Sequence, residues 1–178
     1  MKRVLPGSKV FIMDSGVKEK RRKGESVETF CMRVARDKAD RAWDGYKDRS
    51  ISVGAVIGAD TVIYFKGQII GQPKDSEDAV RILKRLSGQC HEVVTGVAVF
   101  CVSSRRFKTF IVRSSVWMRK LDLKTIKDYV ATGEPLGKAG AYAIQGKGRK
   151  LMARYEGSYS NIVGLPVEEL RRVLKCLH

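Results

Sequence analysis

The stretch Ile51-Ser52-Val53-Gly54-Ala55-Val56-Ile57-Gly58-Ala59-Asp60-Thr61-Val62-Ile63-Tyr64-Phe65 decides how the rest of the chain is read. It is rich in β-branched residues and interrupted only at Gly58-Ala59-Asp60-Thr61. This pattern predicts a buried strand, a corner at 58–61, and a second strand through Phe65. Two longer strand candidates follow, His91–Val102 and Phe107–Met118, joined by the polar turn Ser103-Ser104-Arg105-Arg106.

Helical periodicity surrounds these strands. Val27, Phe30, Cys31, Val34, Ala35 and Ala42 recur at helical spacing, with Ser26 placed to cap and Gly45 to stop. Asp75 or Ser76 opens a second helix that Gly88 closes, and Asp122 caps a third through Ile126, Tyr129 and Val130. Lys9–Asp14 reads as a short strand, Leu151–Tyr155 as a last strand, and Val167–Leu177 as a terminal helix after Pro166. Helices and strands alternate without a regular βαβ rhythm, so the expected class is α/β or α+β, with a mixed sheet flanked by helices.

At 178 residues the chain is the size of one domain. Its 35 bases against 19 acids give a formal charge of +16. That excess points to an anionic partner: a nucleotide, another phosphate compound, nucleic acid or a membrane surface. The charge is uneven: +6 over residues 1–50, zero over 51–100 and +9 over 101–150. Surface charge that serves only solubility is the alternative reading.

Cys31, Cys90, Cys101 and Cys176 have no zinc-site spacing, and His91 and His178 are the sole histidines, so four reduced thiols are expected. The first eight residues lack the apolar region of a secretory signal. The ten-residue run Val93–Val102 is half of what a membrane span needs.

Two features can carry chemistry. Asp60 follows a hydrophobic strand, where an α/β fold places ligands, and a carboxylate there can bind a divalent cation or take a proton from water. The five glycines between 133 and 148, with Lys138 and Lys147, can bring backbone amides and charge to a phosphate. The Gly133–Gly137 spacing is too short for a Walker loop, and Ala139 stands where that loop needs a hydroxyl. Gln145 offers an amide able to read a base edge.

Four blocks occur in order: Gly58-Ala59-Asp60-Thr61-Val62-Ile63, Leu86-Ser87-Gly88-Gln89-Cys90-His91-Glu92-Val93-Val94-Thr95-Gly96-Val97, Lys138-Ala139-Gly140-Ala141-Tyr142-Ala143-Ile144-Gln145-Gly146 and Gly157-Ser158-Tyr159-Ser160-Asn161-Ile162-Val163-Gly164-Leu165-Pro166. Together they resemble the Maf family of nucleoside triphosphate pyrophosphatases from about residue 7 onward. The resemblance implies an elongated Maf/ITPase-like α/β architecture with a substrate cleft, a cytoplasmic location and a divalent metal, magnesium or manganese. It implies hydrolysis of dTTP or UTP to the monophosphate and pyrophosphate. Asp60 matches the family's proton acceptor, and Thr61 and Gln145 match the positions that mark the dTTP/UTP subgroup. Lys138 and Lys74 fall to phosphate binding, and Asp60 with Glu19 to the metal.

The chain also departs from the family pattern. No Ser-x-Ser-Pro-Arg-Arg segment is present, so a first strand and helix are expected to be missing from the single domain 1–178. Lys18 stands where an acid is expected, Gln72 where a lysine is, and Gly137 where an aspartate precedes Lys138. A degenerate relative that binds nucleotide without turnover is therefore a second reading, and a basic nucleic-acid-binding or regulatory protein a third. The expected partner is the nucleotide; nucleic acid is less favoured, a membrane is not expected, and a homodimer is left open.

Overall fold

Three long strands carry the architecture of the computed structural model, which describes residues 9–47 and 53–176. They are β1 (Ala55–Phe65), β3 (Cys90–Cys101) and β4 (Arg106–Met118); the short strands β2 (Gln68–Ile70) and β5 (Met152–Glu156) complete a sheet in the order β2-β1-β3-β4-β5. The helices are α1 (Val27–Tyr46), α2 (Ser76–Leu86), α3 (Leu123–Val130), α4 (Tyr159–Val163) and α5 (Val167–Lys175). The predicted caps are in place: Ser26, Asp75 and Asp122 each accept a hydrogen bond from the backbone N–H three residues on.

The α/β class stands, but the sheet is antiparallel rather than mixed. β1 pairs antiparallel with β2, and β4 with β5. A four-residue turn joins β3 to β4, and the Val102 N–H at the end of β3 donates to the Gly54 carbonyl at the start of β1. Short connections of this kind return the chain antiparallel, whereas parallel neighbours need a long crossover.

The described residues group into two compact units. Residues 9–47, 53–60, 95–111 and 165–176 belong to one, and residues 61–94 and 112–164 to the other. In the first, the strands are covered on both faces. Val97 and Val99 pack with Leu170 and Leu174 of α5, and Ala55, Ile57 and Ala59 lie against that cluster. Val56, Ala98 and Phe100 point the other way, onto Ala35 and Ala39 of α1. Burial on both faces explains why β3 reads as a nearly unbroken apolar run. In the second unit, α2 and α3 pack with Ile63, Phe65, Val93, Val116 and Met118 around one core.

Two glycines set the approach of α1. A Cβ at Gly58 would overlap the Ala35 carbonyl and lie 2.7 Å from the Ala39 nitrogen; one at Gly96 would overlap Cys31 and lie 2.7 Å from the Met32 nitrogen. Gly58 therefore serves close packing, not a turn, and the expected corner at 58–61 does not form. β1 runs straight through it, leaving Asp60 in mid-strand instead of at a strand end.

The expected strand Lys9–Asp14 is also absent: residues 9–22 are neither helix nor strand, and Val10, Phe11 and Ile12 are exposed. Among the described residues no strand pairs with this run, and an unpaired run gains nothing from extending. Of the Val167–Leu177 helix, Leu177 lies outside the described residues, as do residues 1–8.

Candidate active site

Alternation along β1 puts Val56, Gly58 and Asp60 on one face, the face that meets α1. Asp60 is consequently only 3% exposed. One α-helical turn beyond Ala35, α1 carries Lys38 onto the same face. Its Nζ donates to Asp60 Oδ1 at 2.8 Å and lies 2.6 Å from Glu19 Oε1. The two carboxylates assigned to metal binding thus flank one ammonium group.

Asp60 Oδ2 is buried and has no hydrogen-bond partner among the described residues. Burial pushes the Asp60 carboxyl above its ordinary range, with the nearby Glu19 charge adding to the rise and Lys38 opposing it. The Lys38 ammonium is held above its usual range: burial works against it, but its bonds to Asp60 and Glu19 prevail. The thiol of Cys31, on the same side of α1, is pushed up to about 12 by burial and then by the Asp60 charge.

Glu19 belongs to an irregular segment that needs a separate anchor. The Glu25 carboxylate takes Arg33 Nε at 2.7 Å, a second Arg33 nitrogen at 3.0 Å and the Arg22 N–H at 2.9 Å. Arg33 also reaches the Lys20 carbonyl at 3.1 Å. This forked pairing ties residues 20–25 to α1 one residue after Glu19. The arginine bonds, opposed by desolvation, hold the Glu25 carboxyl down at about 2.

The other unit carries the remaining candidates. Thr61, the next residue on β1, donates from Oγ1 to the Gly164 carbonyl at 3.2 Å. The block containing Gly164 is fixed by Asn161, fully buried, whose Nδ2 donates to the Val93 carbonyl and Ser114 Oγ at 3.1 and 2.9 Å. Lys74 and Lys138 are both exposed, and their loops are joined by the Gly140 N–H to Gly71 carbonyl bond at 3.0 Å. Gly140 has a left-handed backbone (φ 71°), and a Cβ there would come within 2.7 Å of Ile63 Cγ1. Gln145 is exposed in the loop that follows.

The residues therefore fall into two sets: Glu19, Lys38 and Asp60 in one unit, and Thr61, Lys74, Lys138 and Gln145 in the other. Lys38 is a participant the sequence reading did not single out. The available signal was its position four residues after Val34 and four before Ala42, a lysine on an otherwise apolar stripe. His91, the first residue of the predicted strand His91–Val102, is buried in β3 with Nε2 2.8 Å from the Tyr142 hydroxyl. Among the described residues no group of three or more His, Cys, Asp or Glu could hold a metal ion, and no helix is long and apolar enough to cross a membrane.

Comparison with known proteins agrees with the four blocks. The family model for Maf-like proteins matches residues 2–177. A dTTP/UTP pyrophosphatase of Dictyoglomus turgidum is 54% identical over 119 residues, 67% of this chain and 62% of that protein. A dTTP/UTP pyrophosphatase of Aromatoleum aromaticum is 44% identical over 91% of this chain and 78% of its own length. One from Clostridium tetani is 38% identical over 98% of this chain and 89% of its own. With matching blocks, a model match over nearly every residue and relatives aligned along most of the length, the chain belongs to the Maf-like protein family.

Proposed function

We propose that this protein is a nucleoside triphosphate pyrophosphatase acting on dTTP and UTP. The observation that carries the reading is the buried Asp60, bound through one oxygen by Lys38 and, among the described residues, unpartnered at the other. The names of its relatives supply the substrate class. A buried, unsatisfied carboxylate oxygen costs stability, which marks it as a candidate functional group, and a raised carboxyl is the better base.

In the reaction, a water oxygen attacks the α-phosphorus and the bond from that phosphorus to the α–β bridging oxygen breaks. The water proton passes to Asp60 Oδ2, and the electron pair leaves with pyrophosphate. Lys38 opposes the effect of burial by favouring the charged form of Asp60, and it holds Oδ1 so that Oδ2 is the free acceptor. Lys74 and Lys138 offset triphosphate charge, while Thr61 and Gln145 select the base. A pyrimidine dione presents acceptor, donor and acceptor in turn, and an amide pairs with part of that edge.

Magnesium or manganese commonly takes one or two carboxylates and completes its shell with phosphates and water. As placed, Asp60 Oδ1 and Glu19 Oε1 both lie against the Lys38 ammonium and Asp60 Oδ2 is the proton acceptor, so this pair does not by itself fit such an ion. The test is pyrophosphate release from dTTP, UTP and GTP with either metal: release from the pyrimidine nucleotides that Asp60→Asn abolishes supports the proposal. Saturable binding without release overturns it in favour of a nucleotide-binding relative.

A further inference from the structure

The loop that carries Gln145 is fastened on both sides by one pair of side chains. The Tyr129 hydroxyl, from α3, accepts the Ala143 N–H at 3.2 Å and donates to Glu134 Oε1 at 2.9 Å. The Glu134 carboxylate then accepts the Lys147 N–H at 2.8 Å through Oε2 and the Gly148 N–H at 2.9 Å through Oε1. Ala143 and Lys147 each lie two residues from Gln145, so the pair fixes the backbone immediately before and after it.

The neighbouring glycines fit this arrangement. A Cβ at Gly146 would lie 2.6 Å from Glu134 Cδ, and one at Gly148 would lie 2.7 Å from the Tyr129 hydroxyl. A side chain at either position would push the clamp off the loop. Glu134 is fixed in turn by its own turn: its N–H donates to Thr132 Oγ1 at 3.3 Å, and that hydroxyl donates to the Tyr129 carbonyl at 2.7 Å. Although partial burial opposes it, the bonds from Gly148, Lys147 and Tyr129 hold the Glu134 carboxyl below its usual range, so it stays an acceptor at neutral pH.

We propose that Tyr129 and Glu134 are positioning residues for base selection: they place Gln145, and with it the preference for a uracil or thymine edge over a purine. This rests on the reading of Gln145 as a base-reading residue. A short amide side chain selects by hydrogen-bond geometry, and a shift of about an ångström in its backbone removes that selectivity while leaving phosphate contacts alone.

The experiment measures dissociation constants for UTP, GTP and inorganic tripolyphosphate by calorimetry in wild type, Tyr129→Phe, Glu134→Gln and Gln145→Ala, each checked by a thermal melt. Tyr129→Phe keeps the ring packing and removes only the hydroxyl, so it preserves a folded variant should Glu134→Gln fail to fold. The expected result is a fall of about tenfold in the UTP-over-GTP preference in both clamp variants, equivalent to about 1.4 kcal/mol. Tripolyphosphate affinity stays unchanged, and neither clamp variant worsens the preference further when combined with Gln145→Ala.

An unchanged preference in the clamp variants, with Gln145→Ala abolishing it, overturns the positioning role and leaves the base-reading intact. An unchanged preference in Gln145→Ala overturns the base-reading itself. Parallel losses for UTP, GTP and tripolyphosphate overturn the positioning role in favour of a structural one.

Discussion

Replacing Lys38 with methionine removes the ammonium that bridges two carboxylates while nearly preserving side-chain volume. Asp60 is 3% exposed, Lys38 20% and Glu19 47%. Removing one partner from a buried ion pair costs about 3–5 kcal/mol, because the charge left behind is uncompensated. With Glu19 open to water, the lower end applies here, about 3 kcal/mol. For a chain of this size that corresponds to a melting temperature lowered by about 6–12 °C.

The loss has a definite pH dependence. In the variant, burial and Glu19 raise the folded-state pKa of Asp60 and no cation opposes them, while the unfolded carboxyl stays near its ordinary 3.8. Above 3.8 the native state retains a proton that the unfolded chain has released, so stability falls as pH rises. The deficit grows until Asp60 ionises in the folded protein as well. Denaturant melts at about pH 5 and pH 8 should therefore show a small loss at the lower pH and the full loss at the higher. The double variant Lys38→Met/Asp60→Asn should regain most of the stability at pH 8 and still release no pyrophosphate. A deficit equal at both pH values, or no rescue by the second substitution, refutes the paired-charge account.

Three other perturbations probe the supports of the site. Gly96→Ala drives a methyl into the Cys31 backbone and should cost about 2–3 kcal/mol in a denaturant melt, whereas Gly54→Ala, with open space at its Cβ, should be nearly neutral. His91 is held down at about 4 by burial, so the unfolded chain binds its proton first as pH falls from 6.5. The wild type should lose about 3 kcal/mol of stability between pH 6.5 and 4, a loss His91→Gln removes from the pH profile. Arg33→Met unties residues 20–25 from α1 and should lower kcat severalfold through misplacement of Glu19, with faster amide exchange confined to that segment as the check.

Much of this was legible from residue order. Caps at Ser26, Asp75 and Asp122 and the long β3–β4 hairpin follow from local chemistry, since a cap needs only the three residues after it. Asp60, Thr61 and Gln145 stand within conspicuous blocks. Gly58 misled because glycine marks both turns and close approaches, and only the presence of Ala35 and Ala39 against it tells which. Lys38 was hidden because its role depends on the placement of β1, not on any neighbour in sequence. Glu19 depends on the Glu25–Arg33 fork, whose partners lie eight residues apart. The five-residue α4 and three-residue β2 are too short for periodicity to reveal.

The most direct test of the central claim is pyrophosphate release from UTP by wild type and Asp60→Asn, with UTP affinity measured on both. The account predicts release by wild type, its loss by a factor of about 10² or more in Asp60→Asn, and UTP affinity kept within severalfold. Equal release by the two proteins would contradict it.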